Sequence, residues 1–252
     1  MRKYTVKRDK RDFRDISFRS VKFVKANQLP RSVDLRSRLS PIVDQGKLGS
    51  CTSNAIVSGL REFLLLEQRY PFVRLSRLYH YWHERKLEGK VNIDSGATIR
   101  DGMKVLQKNG VCTEADWPYR VNNFREQPSE RAEISARVYR IGSYHRVPDL
   151  LALKAALAEE QPVAFGISIY SSFEGIKAKT TGQIPIPNRK TEKRLGGHAL
   201  LAVGYNDGQK PGEGVIIARN SWGPTWGDQG YCYLPYQFFK NSKLTFDYWT
   251  GR

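Results

Sequence analysis

Nine residues, Asp44-Gln45-Gly46-Lys47-Leu48-Gly49-Ser50-Cys51-Thr52, constrain this chain more than any other stretch. A glutamine, a glycine-rich turn and a cysteine stand ahead of Ala55, Ile56, Gly59, Leu60, Phe63 and Leu64, which are spaced like one face of a helix. Gly49 and Ser50 allow a sharp turn, and Ser50 is of N-cap type. The pattern predicts a helix from Cys51 to about Gln68, closed off near Pro71, with the thiol in its first turn. Unpaired N–H groups and the helix dipole favour negative charge there, so such a thiol should ionise more readily, and the thiolate is the nucleophile. The base it needs is best sought far downstream, at His198 in Gly196-Gly197-His198-Ala199.

The rest of the chain changes character half-way. Arg74-Leu75-Ser76 predicts the start of a second helix with Leu78, Tyr79, Tyr81 and Trp82 as its apolar set. Thr98 to Lys108 reads as a third helix, stopped by Asn109-Gly110. Residues 120–135 read as loop and Val138 to Val147 as strand. Pro148 at N1 opens a short helix over Asp149 to Glu160, which Pro162 ends. Strands follow at 163–169, 199–205, 215–219 and 230–234, divided by Gly/Asp turns, with a surface loop at 179–195. The expected class is α+β with two lobes: helical over about 29–135, β over about 136–235, and a C-terminal tail at 236–252.

At 252 residues with 40% hydrophobic content, the chain can bury a substantial core. It has no apolar run near the ~18–20 residues a membrane span needs. Met1 to Lys25 lacks the apolar segment of a secretory signal, so the expected compartment is cytoplasmic unless export uses another route. With Cys51 set aside, Cys112 and Cys232 either pair or, as a reducing compartment favours, stay buried thiols. The 42 Lys and Arg against 25 Asp and Glu give +17, a field that attracts polyanions through a basic surface spread along the chain. No nucleic-acid-binding signature accompanies it. His80 and His83 stand at i, i+3 without a ligand-spaced companion, so neither a metal nor another cofactor is expected. Residues 1–28 are charged, with sparse apolar positions such as Tyr4, Val6, Phe13, Phe18, Phe23 and Val24. They read as an arm that either crosses the cleft as a short pro-segment or packs elsewhere on the body.

Four blocks stand in order: Gln45-Gly46 with Gly49-Ser50-Cys51, Gly197-His198-Ala199, Asn220-Ser221-Trp222-Gly223, and Trp226-Gly227 with Gly230-Tyr231. Together, from about Leu29 to Thr250, they resemble the papain/cathepsin family of cysteine peptidases. The resemblance implies a two-lobed fold with the site between the lobes. It implies that Cys51 attacks a peptide carbonyl and that His198 holds the thiolate and protonates the leaving amine. It further implies that Asn220 orients His198, that Gln45 serves the oxyanion and that Trp222 covers the His–Asn contact. By the same resemblance Ser95, Gly96 and Ala97 would face the substrate backbone. Gly196, Gly197 and Ala199 would leave room for a bulky apolar side chain, with Thr98, Phe165 and Tyr236 as further lining. Leu48 stands where a structural cysteine is common and Thr52 where a tryptophan is usual, and a long prodomain is missing. These departures mark a non-secreted, microbial-type variant without the usual disulfides. Two other readings remain from sequence: peptide ligation by the same triad, and a non-hydrolytic binding protein using the basic surface. Partner number is not legible.

Overall fold

The helical run that begins at Cys51 is continuous to Glu67 but not uniform. Cys51–Ser53 and Glu62–Glu67 are α-helical, and Asn54–Arg61 between them is a π-helix, buried throughout. Such wide turns are uncommon and cluster at functional sites. The computed structural model describes residues 2–22, 26–210 and 212–252; Phe23 and Val24 of the arm lie outside them. Ser50 precedes the helix as expected, but its hydroxyl does not cap it. The hydroxyl instead meets the Tyr119 hydroxyl at 2.6 Å and accepts from Asn54 Nδ2 at 3.0 Å. Two further helices of this lobe are Arg77–Leu87, capped by Ser76, and Ile99–Lys108, capped by Thr98. Their apolar faces pack Ile56, Leu60, Tyr79, Met103 and Leu106 into one core.

Seven strands form one sheet: β1 (Ser32–Asp34), β2 (Tyr144–Val147), β3 (Val163–Tyr170), β4 (Arg194–Asp207), β5 (Gly214–Arg219), β6 (Tyr231–Pro235) and β7 (Thr245–Gly251). The order is β2-β7-β3-β4-β5-β6, with β1 on β4, and every ladder is antiparallel. β3 is buried at every position, which explains its unbroken apolar run. Val163, Phe165 and Ile167 enter a core with Leu153 and Phe238, whereas Ala164 joins Leu201 and Val203 in the core of the helical lobe. The fold is thus the expected two-lobed α+β architecture.

Three sequence expectations need correction. The polar stretch before residue 138 contains a helix, Glu130–Ala136, capped by Ser129 and extended by a 3-10 turn, Arg137–Tyr139. It buries only Ala132 and Ala136, too thin an apolar stripe to register as periodicity. The strand after it is therefore confined to Tyr144–Val147. Pro148 precedes, rather than enters, the helix Leu150–Ala158. Asp149 is its N-cap, accepting from Ala152 N–H at 2.8 Å. The C-terminal segment is no tail. β7 lies inside the sheet between β2 and β3 with Trp249 buried. Its polar residues disguise it, but Thr245 and Thr250 donate to the carbonyls of Phe238 and Pro162, so both can be buried. All three cysteines are free and buried. Leu48, in the place of a structural cysteine, packs on Leu78 and Tyr81.

Candidate active site

Cys51 and His198 approach from different lobes, and both are buried. Cys51 opens the helical run and packs in one buried cluster with Ala199, the residue after His198. His198 sits on β4 opposite Ile167 of β3. Its Nε2 lies 2.8 Å from Asn220 Oδ1 just beyond β5. Amide oxygen only accepts, so Nε2 carries the proton. Nδ1 has no hydrogen-bond partner among the described residues. Trp222 lies over the imidazole with ring centroids 4.9 Å apart, shielding the His198–Asn220 contact.

Gln45 is oriented from both sides. Its Oε1 accepts from the Ser221 hydroxyl at 2.6 Å and its Nε2 donates to Leu48 O at 2.9 Å. Its own carbonyl accepts from the Tyr119 hydroxyl at 2.9 Å. Ser221 and Tyr119 were not singled out from sequence. Ser221 could have been, since it stands within the Asn220-Ser221-Trp222-Gly223 block. Tyr119 gives no such signal.

The loop bearing Ser95, Gly96 and Ala97 is held by Asp94, from the same stretch, and by Tyr81, whose holding roles the sequence does not show. Asp94 accepts from Gly49 N–H at 3.0 Å and from the Tyr81 hydroxyl at 2.6 Å, and Tyr81 accepts from Gly96 N–H at 3.0 Å. The Ser95 hydroxyl donates to Gly96 O. Fully buried Arg85 donates to the carbonyls of Val91 and Phe124 beneath this loop.

The N-terminal arm crosses the cleft. Val6 N–H donates to Gly197 O at 3.1 Å and Lys7 N–H to Ala97 O at 3.4 Å, while the Thr5 hydroxyl reaches Gly49 O. Thr5 pairs with Gly197, and Lys7 with Thr98, as parallel bridges. A Cβ on Gly96 would collide with Thr5, and one on Gly197 with the Val6 carbonyl, so both glycines permit the close backbone approach. The Tyr4 ring stands edge-on to His198, and the Arg2 guanidinium lies 4.5 Å above Trp222. Val6 packs in the cluster that contains Cys51 and Ala199. Phe165 and Tyr236 are elsewhere. Both belong to the core behind the sheet, where Phe165 meets Phe239 and the Tyr236 hydroxyl donates to Asp207.

In this covered state burial pushes the Cys51 thiol up to about 12, against the lowering effect of the Ala199, Thr52 and Cys51 N–H groups. It drives His198 down to about 4, against the Asn220 hydrogen bond. The sequence expectation of a lowered Cys51 pKa is therefore reversed here: loss of water outweighs the helix terminus.

A family model, papain family cysteine protease, matches residues 29–245. The chain belongs to the papain family of cysteine proteases. Its fold matches xylellain, a cysteine protease from Xylella fastidiosa, with a TM-score of 0.91 and 38% identity over 100% of this chain and 97% of that one. It is 36% identical to an uncharacterised peptidase C1-like protein of Acanthamoeba polyphaga mimivirus, covering 88% of this chain and 72% of that protein. Cysteine proteinase 1 of Entamoeba histolytica is 29% identical over 81% of this chain, which spans 63% of that enzyme's length. As a papain-family member the chain is a cysteine peptidase acting on peptide or protein substrates.

Proposed function

We propose that the chain hydrolyses peptide bonds with Cys51 as nucleophile, His198 as base and acid, Asn220 as the group orienting His198, and Gln45 as oxyanion donor. The observation that carries this reading is the His198 ring. Asn220 ties down Nε2 at 2.8 Å and leaves Nδ1 as a lone pair with no hydrogen-bond partner among the described residues, on the residue next to Ala199, which packs in the same cluster as Cys51. Nδ1 takes the thiol proton, and the thiolate sulfur bonds to the carbonyl carbon. The resulting oxyanion accepts from Gln45 Nε2–H and the Cys51 backbone N–H. Imidazolium then gives its proton to the departing amine, leaving a thioester that water, deprotonated by His198, hydrolyses. The way Thr5 to Lys7 bind supports peptide as substrate. Extended backbone pairs with both walls: the main-chain carbonyls of Ala97 and Gly197 accept from its N–H groups, and Gly49 O accepts from the Thr5 hydroxyl.

The same contacts support a latent state. With the arm in place, thiol and imidazole are both held neutral, and the substrate backbone positions are taken. Activity then requires the arm to leave, which readmits water and favours the thiolate–imidazolium pair. Deleting residues 1–11 tests both parts, because it spares Phe18, which is buried in the core, and Asp15, which pairs with Arg100 at 2.6 Å. The shortened protein should alkylate at Cys51 with iodoacetamide faster than the full chain and hydrolyse a peptide with a bulky apolar second residue. Cys51→Ala should abolish both. Equal rates with and without the arm would end the latency reading. Rapid hydrolysis by Cys51→Ala would end the mechanism.

A further inference from the structure

Beside the first turn of the nucleophile helix three buried side chains meet, and the mechanism above uses none of them. Thr52 donates its hydroxyl to Glu84 Oε2 at 2.8 Å. His80, one turn before Glu84 on the same helix, has Nε2 3.0 Å from Gly102 O. A carbonyl only accepts, so Nε2 is protonated and, in the neutral ring, Nδ1 keeps a bare lone pair. That lone pair faces Glu84 Oε1 at 3.5 Å, and neither atom has a hydrogen-bond partner among the described residues. Both side chains are entirely buried. Two bare acceptors facing each other in a low-dielectric pocket repel, and a single proton between them turns the contact into an attraction. Gly102 makes the arrangement fit, since a Cβ there would stand 2.5 Å from Glu84 Oε1.

We infer that His80 and Glu84 hold one proton between them as a net-neutral pair, and that Glu84, acting through Thr52, is a positioning residue for Cys51. The positioning half rests on Cys51 being the nucleophile; the shared proton does not. Thr52 follows Cys51 directly, so fixing its hydroxyl fixes the turn whose N–H groups must face the reacting carbonyl. The proton also matters electrostatically. A charged Glu84 raises the thiol's pKa and opposes the thiolate, whereas a neutral pair does not.

Burial pushes Glu84 well above the ordinary carboxylate range and His80 down to about 3, which places the proton on the carboxyl, its O–H donating to Nδ1. The Thr52 hydrogen bond and Arg85 oppose the first shift while Glu88 and Asp101 reinforce it; the Gly102 hydrogen bond opposes the second and His83 reinforces it. An unfolded glutamate ionises near ~4.3, below the folded group. Glu84's contribution to stability is therefore complete below that value and is lost as pH rises toward the raised folded value, whereas His80, depressed below its unfolded ~6.5, contributes stability that is lost as pH falls. Glutamine at position 84 presents the same acceptor to Thr52 and the same donor to His80 with no proton to lose.

The test uses the full-length protein, wild type and Glu84→Gln, with carboxyl-carbon and imidazole-nitrogen NMR from about pH 5 to 8. Glu84 should resonate as a protonated carboxyl at pH values where a free glutamate is already ionised, and His80 as the Nε2–H tautomer. The Tm advantage of Glu84→Gln should grow with pH. Its Cys51 alkylation should stay within about twofold of wild type with an unchanged pH profile. Glu84→Leu should be slower by about tenfold, equivalent to a one-unit shift in the thiol, with a displaced profile. If Glu84→Leu does not fold, Thr52→Val, which removes only the hydroxyl, serves for the same comparison. An ionised Glu84 beside a neutral His80, or a Tm difference independent of pH, overturns the shared proton. Alkylation by Glu84→Leu or Thr52→Val that matches wild type in rate and profile overturns the positioning role. The proton is located without turnover, so its failure and the failure of the peptidase mechanism are separate results.

Discussion

His198 stands on a strand laddered to β3, and Asn220 follows a strand laddered to that same β4, whereas the turn bearing Cys51 is held largely by side chains. On the sheet wall, backbone hydrogen bonds set the imidazole and its amide partner to within a residue's register. On the helical wall the work falls to Tyr119 on Gln45 and Ser50, Arg77 on Asn54 and the Asp44 carbonyl, Asp94 on Gly49, and Glu84 on Thr52. A ladder tolerates loss of one side chain. A web of single side-chain contacts does not. The helical wall should therefore lose catalytic geometry before it loses fold, and the sheet wall the reverse.

Gln45→Ala probes the place where the two walls meet. Removing the proposed oxyanion donor should lower kcat by about 10²- to 10³-fold with little change in KM, as steady-state kinetics on arm-deleted protein would read. A change confined to KM would mean that Gln45 binds substrate rather than the transition state. Ser221→Ala leaves that amide present but frees its orientation. A fall of about tenfold in kcat at unchanged Tm is expected, and an unaltered kcat would mean that Leu48 O alone fixes the amide. Tyr81→Phe removes the hydroxyl that links Asp94 to Gly96 N–H. It should cost about 1–3 kcal/mol, mainly from the unpaired groups left behind, and raise KM more than it lowers kcat. Thermal unfolding with parallel kinetics separates the two effects.

The smallest expected effect concerns the arm. Asp9 accepts from Trp249 Nε1 and Arg100 N–H, and its own N–H donates to Asp247 Oδ2 at 2.6 Å. Burial and the neighbouring Asp247 carboxylate raise Asp9 to about 6, while Arg100 opposes the shift; Asp247 is likewise raised by burial, with Arg146, Arg8 and Arg100 opposing. A docked carboxyl with a raised pKa binds its proton more tightly than a released one. Docking is therefore strongest below the ordinary carboxylate value of about 3.9 and weakens as pH rises through the raised value. Asp9→Asn should flatten this part of the pH dependence of Cys51 alkylation in the full chain. An identical profile would mean that the arm is held by its backbone pairing and by the Lys3–Asp94 and Lys7–Glu88 ion pairs instead.

Legibility followed how local the signal was. The helix at Cys51, the helices beginning near Ser76 and Thr98, and strand β3 were readable because apolar spacing reports which face of an element is buried. β7 was missed because Thr245, Asp247 and Thr250 look like solvent-facing residues until their partners are known. The helix at Glu130 was missed because two alanines are its only buried positions. Phe165 and Tyr236 were misplaced at the cleft because an aromatic side chain suits a core as well as a pocket. Asp94, Tyr81, Tyr119 and Glu84 carry no mark of their role, since each acts through a partner on another segment.

By itself the sequence determined the family, through four short blocks in fixed order, and the two-lobed α+β class, through the change from helical to strand periodicity. Only the tertiary structure decided that the arm lies in the cleft, that its backbone uses Ala97 and Gly197, and that the covered thiol and imidazole are driven toward neutrality. The physical reason is common to all three. Periodicity and motif chemistry are written within one element, whereas desolvation and hydrogen-bond partnership depend on what another segment brings alongside, and neither segment alone records the other.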